Sequence, residues 1–408
     1  MKTFVSVAEA KALVAEGLPA PRLARLSLAR AAGHVLARDL VARESLPAFA
    51  NSAMDGYAVR AADVAGATPE RPRTLPLAGE IAAGAAPGAA WPAGSVLRIM
   101  TGAPVPDACD GVIPVERTEE ADGAVRFVAD LAATGPNLRP AGEDVTAGAP
   151  LLAAGARLTP AALALLAAQG FARVPVWRRP RVALLATGDE LRPVGASLEP
   201  GQIRNSNVPM AVALLAESGF TALDLGVAPD APGPLRALLA RGLAEADVLV
   251  SSGGVSMGRY DLVGTVLAEM GATWVFHKVR QQPGGPLALL RWEGRPVFGL
   301  PGNPVSTFMT LWYYVLPALR RMAGDPEPEP RVVRARLAEA IAGRPVKQFF
   351  ARAALRRVED GWEATPRPPH GSHVLSSLAA SNAFLLLLPD CGRLEAGAEV
   401  DAALLAPC

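Results

Sequence analysis

Five stretches of this chain place oxygen donors, glycines or a cation directly after apolar runs. They are Thr187-Gly188-Asp189-Glu190, Ala228-Pro229-Asp230, Gly253-Gly254-Val255-Ser256-Met257-Gly258 with Asp261 beyond it, Lys278 to Pro286 (KVRQQPGGP), and Pro301-Gly302-Asn303-Pro304-Val305-Ser306. Asp189, Glu190, Asp230 and Asp261 are hard oxygen donors, and Mg2+ is typically held by one or two carboxylates with substrate phosphates and water completing its shell. At Gly253-Gly254 and at Pro301 to Pro304 the missing Cβ atoms let the backbone approach an oxyanion, and successive N–H groups form a nest facing it. A helix beginning beyond such a turn adds a favourable dipole. Each feature has a plainer alternative. A glycine turn is an ordinary strand-to-helix connection, and Asp230 and Asp261 are well placed to cap helices. Together they argue for a phosphorylated, nucleotide-like ligand with a divalent cation.

The stretch Val279 to Pro286, VRQQPGGP, has the backbone of an anion-binding turn but no charge on the turn itself. Lysine occurs only at positions 2, 11, 278 and 347, whereas arginine is abundant, so the choice of lysine at 278 points to a role, with an exposed strand lysine as the plainer alternative. A lysine offers a compact point charge rather than a planar fork. Strand alternation places Lys278, Arg280 and Gln282 on one face if the strand persists that far, which would let Arg280 supply charge to the turn. A second polar cluster lies far away in sequence: Asn51 to Arg60 (NSAMDGYAVR) with Asp55, Met100 to Pro104 with Thr101, and Asn137 to Asp144 with Arg139 and Asp144. No His pair has metal-ligand spacing. No P-loop, dinucleotide fingerprint or nucleophile elbow is present, which excludes those nucleotide-hydrolase, dehydrogenase and hydrolase classes.

The elements that must position these residues follow from periodicity. Between 181 and 324, apolar strands at 182–187, 222–227, 247–252, 274–279 and 296–300 alternate with helices at about 207–218, 234–246, 262–270 and 305–322. That pattern predicts a doubly wound, mostly parallel sheet, whose ligands bind at the carboxyl ends of the strands. Residues 6–17 read as a helix with a Ser6/Glu9 capping box, residues 28–37 as a second helix, and a helix restarts at Thr159-Pro160. Short apolar runs broken by Gly and Pro from 46 to 145, and again after the Asp325-to-Pro330 linker, predict two small β domains. The fold class is therefore multidomain α/β plus β. The chain of 408 residues has a net charge of +1, so bulk attraction to nucleic acid or membrane is not expected. No apolar run of spanning length occurs, the N-terminus does not read as a signal peptide, and three scattered cysteines suit a reducing cytoplasm.

Taken in order, NSAMDGYAV, TGAP, the R-x-x-GED ending at Arg139 to Asp144, ATGDE, SSGGVS, LPGNPVS and the GSH at 371–373 resemble the molybdopterin molybdenumtransferases, the MoeA-type family also related to part of gephyrin. The resemblance spans nearly the whole chain. It implies an elongated four-domain subunit in a homodimer. An N-terminal helix (1–25) would pack on the α/β domain, a linking domain would use 26–45 and 146–177, and an inserted β domain would occupy 46–145. The α/β domain would run over 178–326 and a C-terminal β-barrel over 327–408. It implies insertion of molybdate into adenylylated molybdopterin with release of AMP, assisted by Mg2+ or a similar cation. By position, Asp55, Thr101, Glu190, Asp230, Asp261 and Lys278 would be catalytic, and Glu190, Asp230 and Asp261 would hold the cation. Arg139, Asp144, Gly253, Gly254, Ser256, Arg280, Pro301, Gly302, Asn303, Pro304, Arg352 and Ser372 would bind substrate or phosphate. Molybdopterin adenylyltransferase and molybdoenzyme maturation proteins are the partners it suggests. In relatives the Pro283 turn commonly reads K-P-G-K-P, so Gln282 and Gly285 stand where bases are usual. The alternatives are an adenylyltransferase-like activity, a molybdopterin-binding scaffold with a weakened site, and tungstate as the preferred metal.

Overall fold

In a computed structural model of the chain, the structure describes residues 1–84, 91–254 and 262–405. They fall into two compact units. One comprises Met1–Ala37, Arg157–Thr159 and Arg173–Cys408, the other Arg38–Ala156 and Pro160–Ala172. Among the described residues no helix is long and apolar enough to cross a membrane.

The first unit is built on a seven-stranded sheet. Its strands are β1 (Lys2–Val5), β2 (Arg181–Thr187), β3 (Thr221–Ala228), β4 (Val248–Ser252), β5 (Thr273–Val279), β6 (Ala288–Trp292) and β7 (Arg295–Leu300), in the spatial order β1-β5-β6-β7-β4-β2-β3. Alternation along β2 explains the double winding. Val182 and Leu184 point into a core that also holds Phe276 and Phe298, covered by α1 (Val7–Ala15), α2 (Asn207–Glu217) and the long helical run from Pro304 to Met322. Ala183 and Leu185 point to the other face, where Leu235, Leu239, Val263 and Val266 of α3 (Pro232–Glu245) and α4 (Leu262–Glu269) cover them. Period-two strands with both faces apolar need helices on both sides.

The sheet is mostly parallel, as the periodicity predicts, but β6 is antiparallel to both neighbours. The Glu293-Gly294 turn joins it to β7, with φ of 48° and 76°, the pair of left-handed residues that a two-residue hairpin favours. The N-terminus differs from expectation too. The helix does form, with the Ser6/Glu9 capping box, but it is preceded by β1, which pairs in parallel with β5. The second expected helix shrinks to Leu28–Ala31. Gly33 there adopts φ of 68°, and Leu23–Ser27 pairs antiparallel with Arg173–Trp177.

Beyond the linker, five strands (Gln348–Val358, Gly361–Pro366, Val332–Leu337, Glu399–Leu404 and Ala383–Leu387) close on themselves into a barrel. Phe350 and Phe384 of the barrel belong to the same core as Trp312 and Tyr313 of the long helical run. That run contains a wide turn at Leu311–Val315. In the second unit, six short strands form a sheet in the order Gly111–Pro114, Gly56–Val59, Val96–Ile99, Arg73–Ile81, Ala124–Phe127 and Thr118–Ala121.

Candidate functional site

In the first unit the carboxyl ends of β2, β4 and β7 meet. Gly253 and Gly254 have φ of 92° and 69°, a backbone that side-chain-bearing residues seldom adopt. A Cβ on Gly253 would lie 2.9 Å from the Thr187 carbonyl, and one on Gly254 would lie 2.5 Å from Val263 Cγ2. The position of a Gly302 Cβ is 3.8 Å from the Gly253 Cα, so the two glycine turns are neighbours on one edge. Hydrogen bonds fix them together. The Gly253 N–H donates to the Leu300 carbonyl at 3.0 Å, Asn207 Nδ2 donates to Ser252 Oγ at 2.8 Å and to the Gly302 carbonyl at 2.7 Å, and Thr307 Oγ1 donates to the Pro301 carbonyl at 2.6 Å. Asn207 is a member that the strand-end pattern does not single out. Its signal is only its place as the first residue of α2. Among the described residues the buried Asn207 Oδ1 and Ser251 Oγ have no hydrogen-bond partner. The Asn303 side chain makes no capping bond to the helix it precedes.

The acidic residues gather beside these turns. Asp189 Oδ1 accepts the Asp230 N–H at 3.1 Å. A Cβ on Gly188 would lie 2.5 Å from Glu190 Oε2, so the Glu190 carboxylate folds into the space that glycine leaves. Burial, followed by the charges of Asp189 and Glu190, pushes the Asp230 carboxyl above the ordinary aspartate range. The helix-capping alternative for Asp230 fails: α3 starts at Pro232, its cap is Ala231, and no side chain caps it. Among the described residues no three His, Cys, Asp or Glu side chains are grouped closely enough to hold a metal by themselves. Asp261 and Ser256 lie outside the described residues. The donor chemistry fits a hard cation that takes one or two protein carboxylates and completes its shell from phosphate oxygens.

The VRQQPGGP stretch is built differently from a simple turn. Lys278 takes φ of 68°, which breaks the alternation, so Lys278, Arg280 and Gln282 do not follow one face of a regular strand. The Arg280 N–H donates to the Val5 carbonyl at 2.8 Å, and the exposed Arg280 acts on Glu9 of α1, helping to hold that carboxyl low after the larger effect of the Ser6 hydrogen bonds. Gln281–Gln282 then joins the barrel sheet, pairing with Gln348 and Phe349. The Pro283 turn packs on the start of the long helical run. The Gly284 N–H donates to Ser306 Oγ at 3.2 Å, Gln281 Nε2 donates to the Gly284 carbonyl at 3.0 Å, and the Tyr314 hydroxyl donates to Gln281 Oε1. From the barrel, the Ser372 carbonyl accepts the Val305 N–H at 3.0 Å. Arg352 is almost wholly buried, and its Nη atoms donate to the Pro369 carbonyl at 2.6 Å and the Gly371 carbonyl at 3.1 Å. Its Nε is buried without a partner among the described residues, and burial alone pulls the guanidinium down to about 10.

In the second unit Asp55 and Thr101 come together. Asp55 Oδ1 accepts both the Thr101 N–H and the Thr101 hydroxyl at 2.7 Å, and the N–H first, then the hydroxyl, hold the carboxyl below its usual range. Arg139 Nη2 reaches the Ala53 carbonyl at 3.5 Å because Leu138-Arg139 pairs with Asn51-Ser52. Asp144 is exposed, and its N–H donates to the Leu46 carbonyl at 2.9 Å.

Comparison with known proteins matches three family models along the chain: "MoeA N-terminal region (domain I and II)" over residues 5–170, "Probable molybdopterin binding domain" over 183–321, and "MoeA C-terminal region (domain IV)" over 334–405. The chain is 40% identical over 402 residues to molybdopterin molybdenumtransferase 2 of Mycobacterium tuberculosis, covering 97% of this chain and 98% of that protein. It is 35% identical over 407 residues to the molybdopterin molybdenumtransferase of Haemophilus influenzae, covering 97% and 98%. Two crystal structures of the molybdopterin biosynthesis MoeA protein from Pyrococcus horikoshii superpose with TM-scores of 0.81 and 0.77 at 30% and 28% identity. They cover 99% and 98% of this chain and 100% of each of theirs.

Proposed function

Since the chain belongs to the molybdopterin molybdenumtransferase family, transferases of molybdenum cofactor biosynthesis, we propose that it inserts molybdate into adenylylated molybdopterin at the carboxyl edge of its α/β sheet and releases AMP. The observation that carries this reading is that the Gly253-Gly254 and Pro301-Gly302 turns are neighbours on one sheet edge, with Asp189, Glu190 and Asp230 following the adjacent strand ends and acting on one another. The turns offer backbone N–H groups to phosphate oxygens. Glu190 and Asp230, with Asp261, would hold Mg2+, which when bound neutralises and polarises the phosphoryl group leaving with AMP. Ser306, Ser372 and the Pro283 turn form the adjoining oxyanion side, and Arg352 acts on it through the Pro369–Gly371 backbone that it grips. The subunit would form a homodimer, a stoichiometry that sedimentation would test, and Asp55, Thr101, Arg139 and Asp144 would bind substrate or act on it as the family resemblance implies. A molybdopterin adenylyltransferase would supply the substrate.

Replacing Glu190 by Gln keeps shape and removes one charge. Molybdate- and Mg2+-dependent AMP release should fall by about 100-fold, the scale seen when a preorganised electrostatic group is lost. Release at the wild-type rate would refute the role given to Glu190. One observation favours a second reading, a molybdopterin-binding scaffold without turnover. The Pro283-Gly284-Gly285 turn carries no cation of its own, and the Arg280 backbone N–H is bound to the Val5 carbonyl of the neighbouring strand. Tight binding of adenylylated molybdopterin with no AMP release from the wild-type protein would support that reading.

A further inference from the structure

The least ordinary backbone at the carboxyl edge is a matched pair on two neighbouring strands. Thr3 pairs with His277 and Val5 with Val279, which leaves Phe4 opposite Lys278. Both take positive φ, 52° and 68°, a region that bulky residues rarely enter. Core packing does not account for it, because Phe4 is 57% exposed. What the pair achieves is a contact: Lys278 Nζ stands 5.2 Å from the centroid of the Phe4 ring, within cation–π range. Among the described residues Lys278 is in none of the ion pairs, whereas Lys11 pairs with Glu329.

A carboxylate beside Lys278 would steer the ammonium but also compete with an incoming anion. An aromatic face attracts the ammonium through its quadrupole and leaves the charge unneutralised. We propose that Phe4 is a positioning residue for Lys278: the two facing residues turn left-handed together so that the ring holds the ammonium ready for an oxyanion. The inference rests on the proposed function, extended to Lys278: that residue, catalytic by the family resemblance, is taken as the cation that meets molybdate. It adds the N-terminal strand to the machinery, which neither the acidic cluster nor the glycine turns involve.

With four lysines in the chain, reductive 13C-methylation gives few lysine signals, and Lys278→Arg identifies the one from Lys278. In the full-length protein that signal should be ring-current shifted. The shift should vanish in Phe4→Leu and survive in Phe4→Tyr. In the molybdate-dependent AMP-release assay, Phe4→Leu should raise the KM for molybdate about two- to five-fold, the factor for an exposed cation–π contact. Its kcat should stay near wild type, and Phe4→Tyr should restore KM. A Lys278 signal that does not move in Phe4→Leu overturns the proposal. So does an unchanged KM in Phe4→Leu when Lys278→Ala raises it. If Lys278→Ala also leaves KM unchanged, the placement of Lys278 at the molybdate side falls, and the role of Phe4 falls with it.

Discussion

Asp230 carries its carboxylate where two others already stand. A carboxyl whose pKa is higher in the fold than in the unfolded chain holds its proton more tightly when folded. The stability linked to it is therefore largest below the unfolded value and is lost as pH rises through the raised folded value. Asp230 is such a group, so at neutral pH it weakens the metal-free fold. Asp230→Asn should raise the Tm of metal-free protein at neutral pH, and the two curves should converge in acid, below the ordinary aspartate value of 3.8. Mg2+ should raise the wild-type Tm and leave that of Asp230→Asn nearly unmoved. An equal gain in both would remove Asp230 from the cation site. The residue types at this edge were legible because strand ends and hard donors are local features. Lys278 was legible as a rare lysine. Its left-handed backbone was not, because that depends on a partner strand more than 270 positions earlier in the chain.

Among the elements, the strand-to-turn junction after β4 has the least freedom. Gly254 combines a φ of 69° with a neighbour, Val263, already in the place of a Cβ. Gly254→Ala should cost about 1–3 kcal/mol in urea unfolding, the usual range for a residue forced into a sparsely populated backbone region. A cost under about 0.5 kcal/mol, the size of an ordinary surface change, would mean that the turn relaxes. The buried strands and the helices between them were readable because both faces of the sheet impose periodicity. Strand β6 was missed although Glu293-Gly294 is a hairpin signal, because its apolar run merges with the glycines before it. Strand β1 is four residues long with only Val5 buried, so no alternation marks it. Residues 28–37 have helical composition, but Gly33 and the strand partners on either side prevail over local propensity.

At the scale of the molecule, texture marked the α/β sheet and the β-rich segment after it, whereas the contacts that join the two left no sign in it. The linker after the α/β domain looks like a free tether of Pro and Glu. Instead Asp325 accepts Arg157 at 2.6 Å, and Glu329 pairs with Lys11 and with Arg321. More telling is Gln281–Gln282, which leaves the α/β sheet to become a strand beside Gln348–Phe349 in the barrel sheet. Phe350 and Phe384 meanwhile pack with the aromatic residues of the long helical run. The peptide bonds of the linker are therefore not what keeps the barrel in place. If a protease recognition sequence is inserted at Glu327 and cut, the two fragments should travel together through gel filtration without denaturant and separate only when unfolded. Separation in native buffer would show that the shared core and the stitched strand are too weak to hold them. The barrel is thus removable by genetics but not by nicking, and a shortened chain that stops before Val332 would leave the Gln281–Gln282 edge and the aromatic face of the helix open to aggregation.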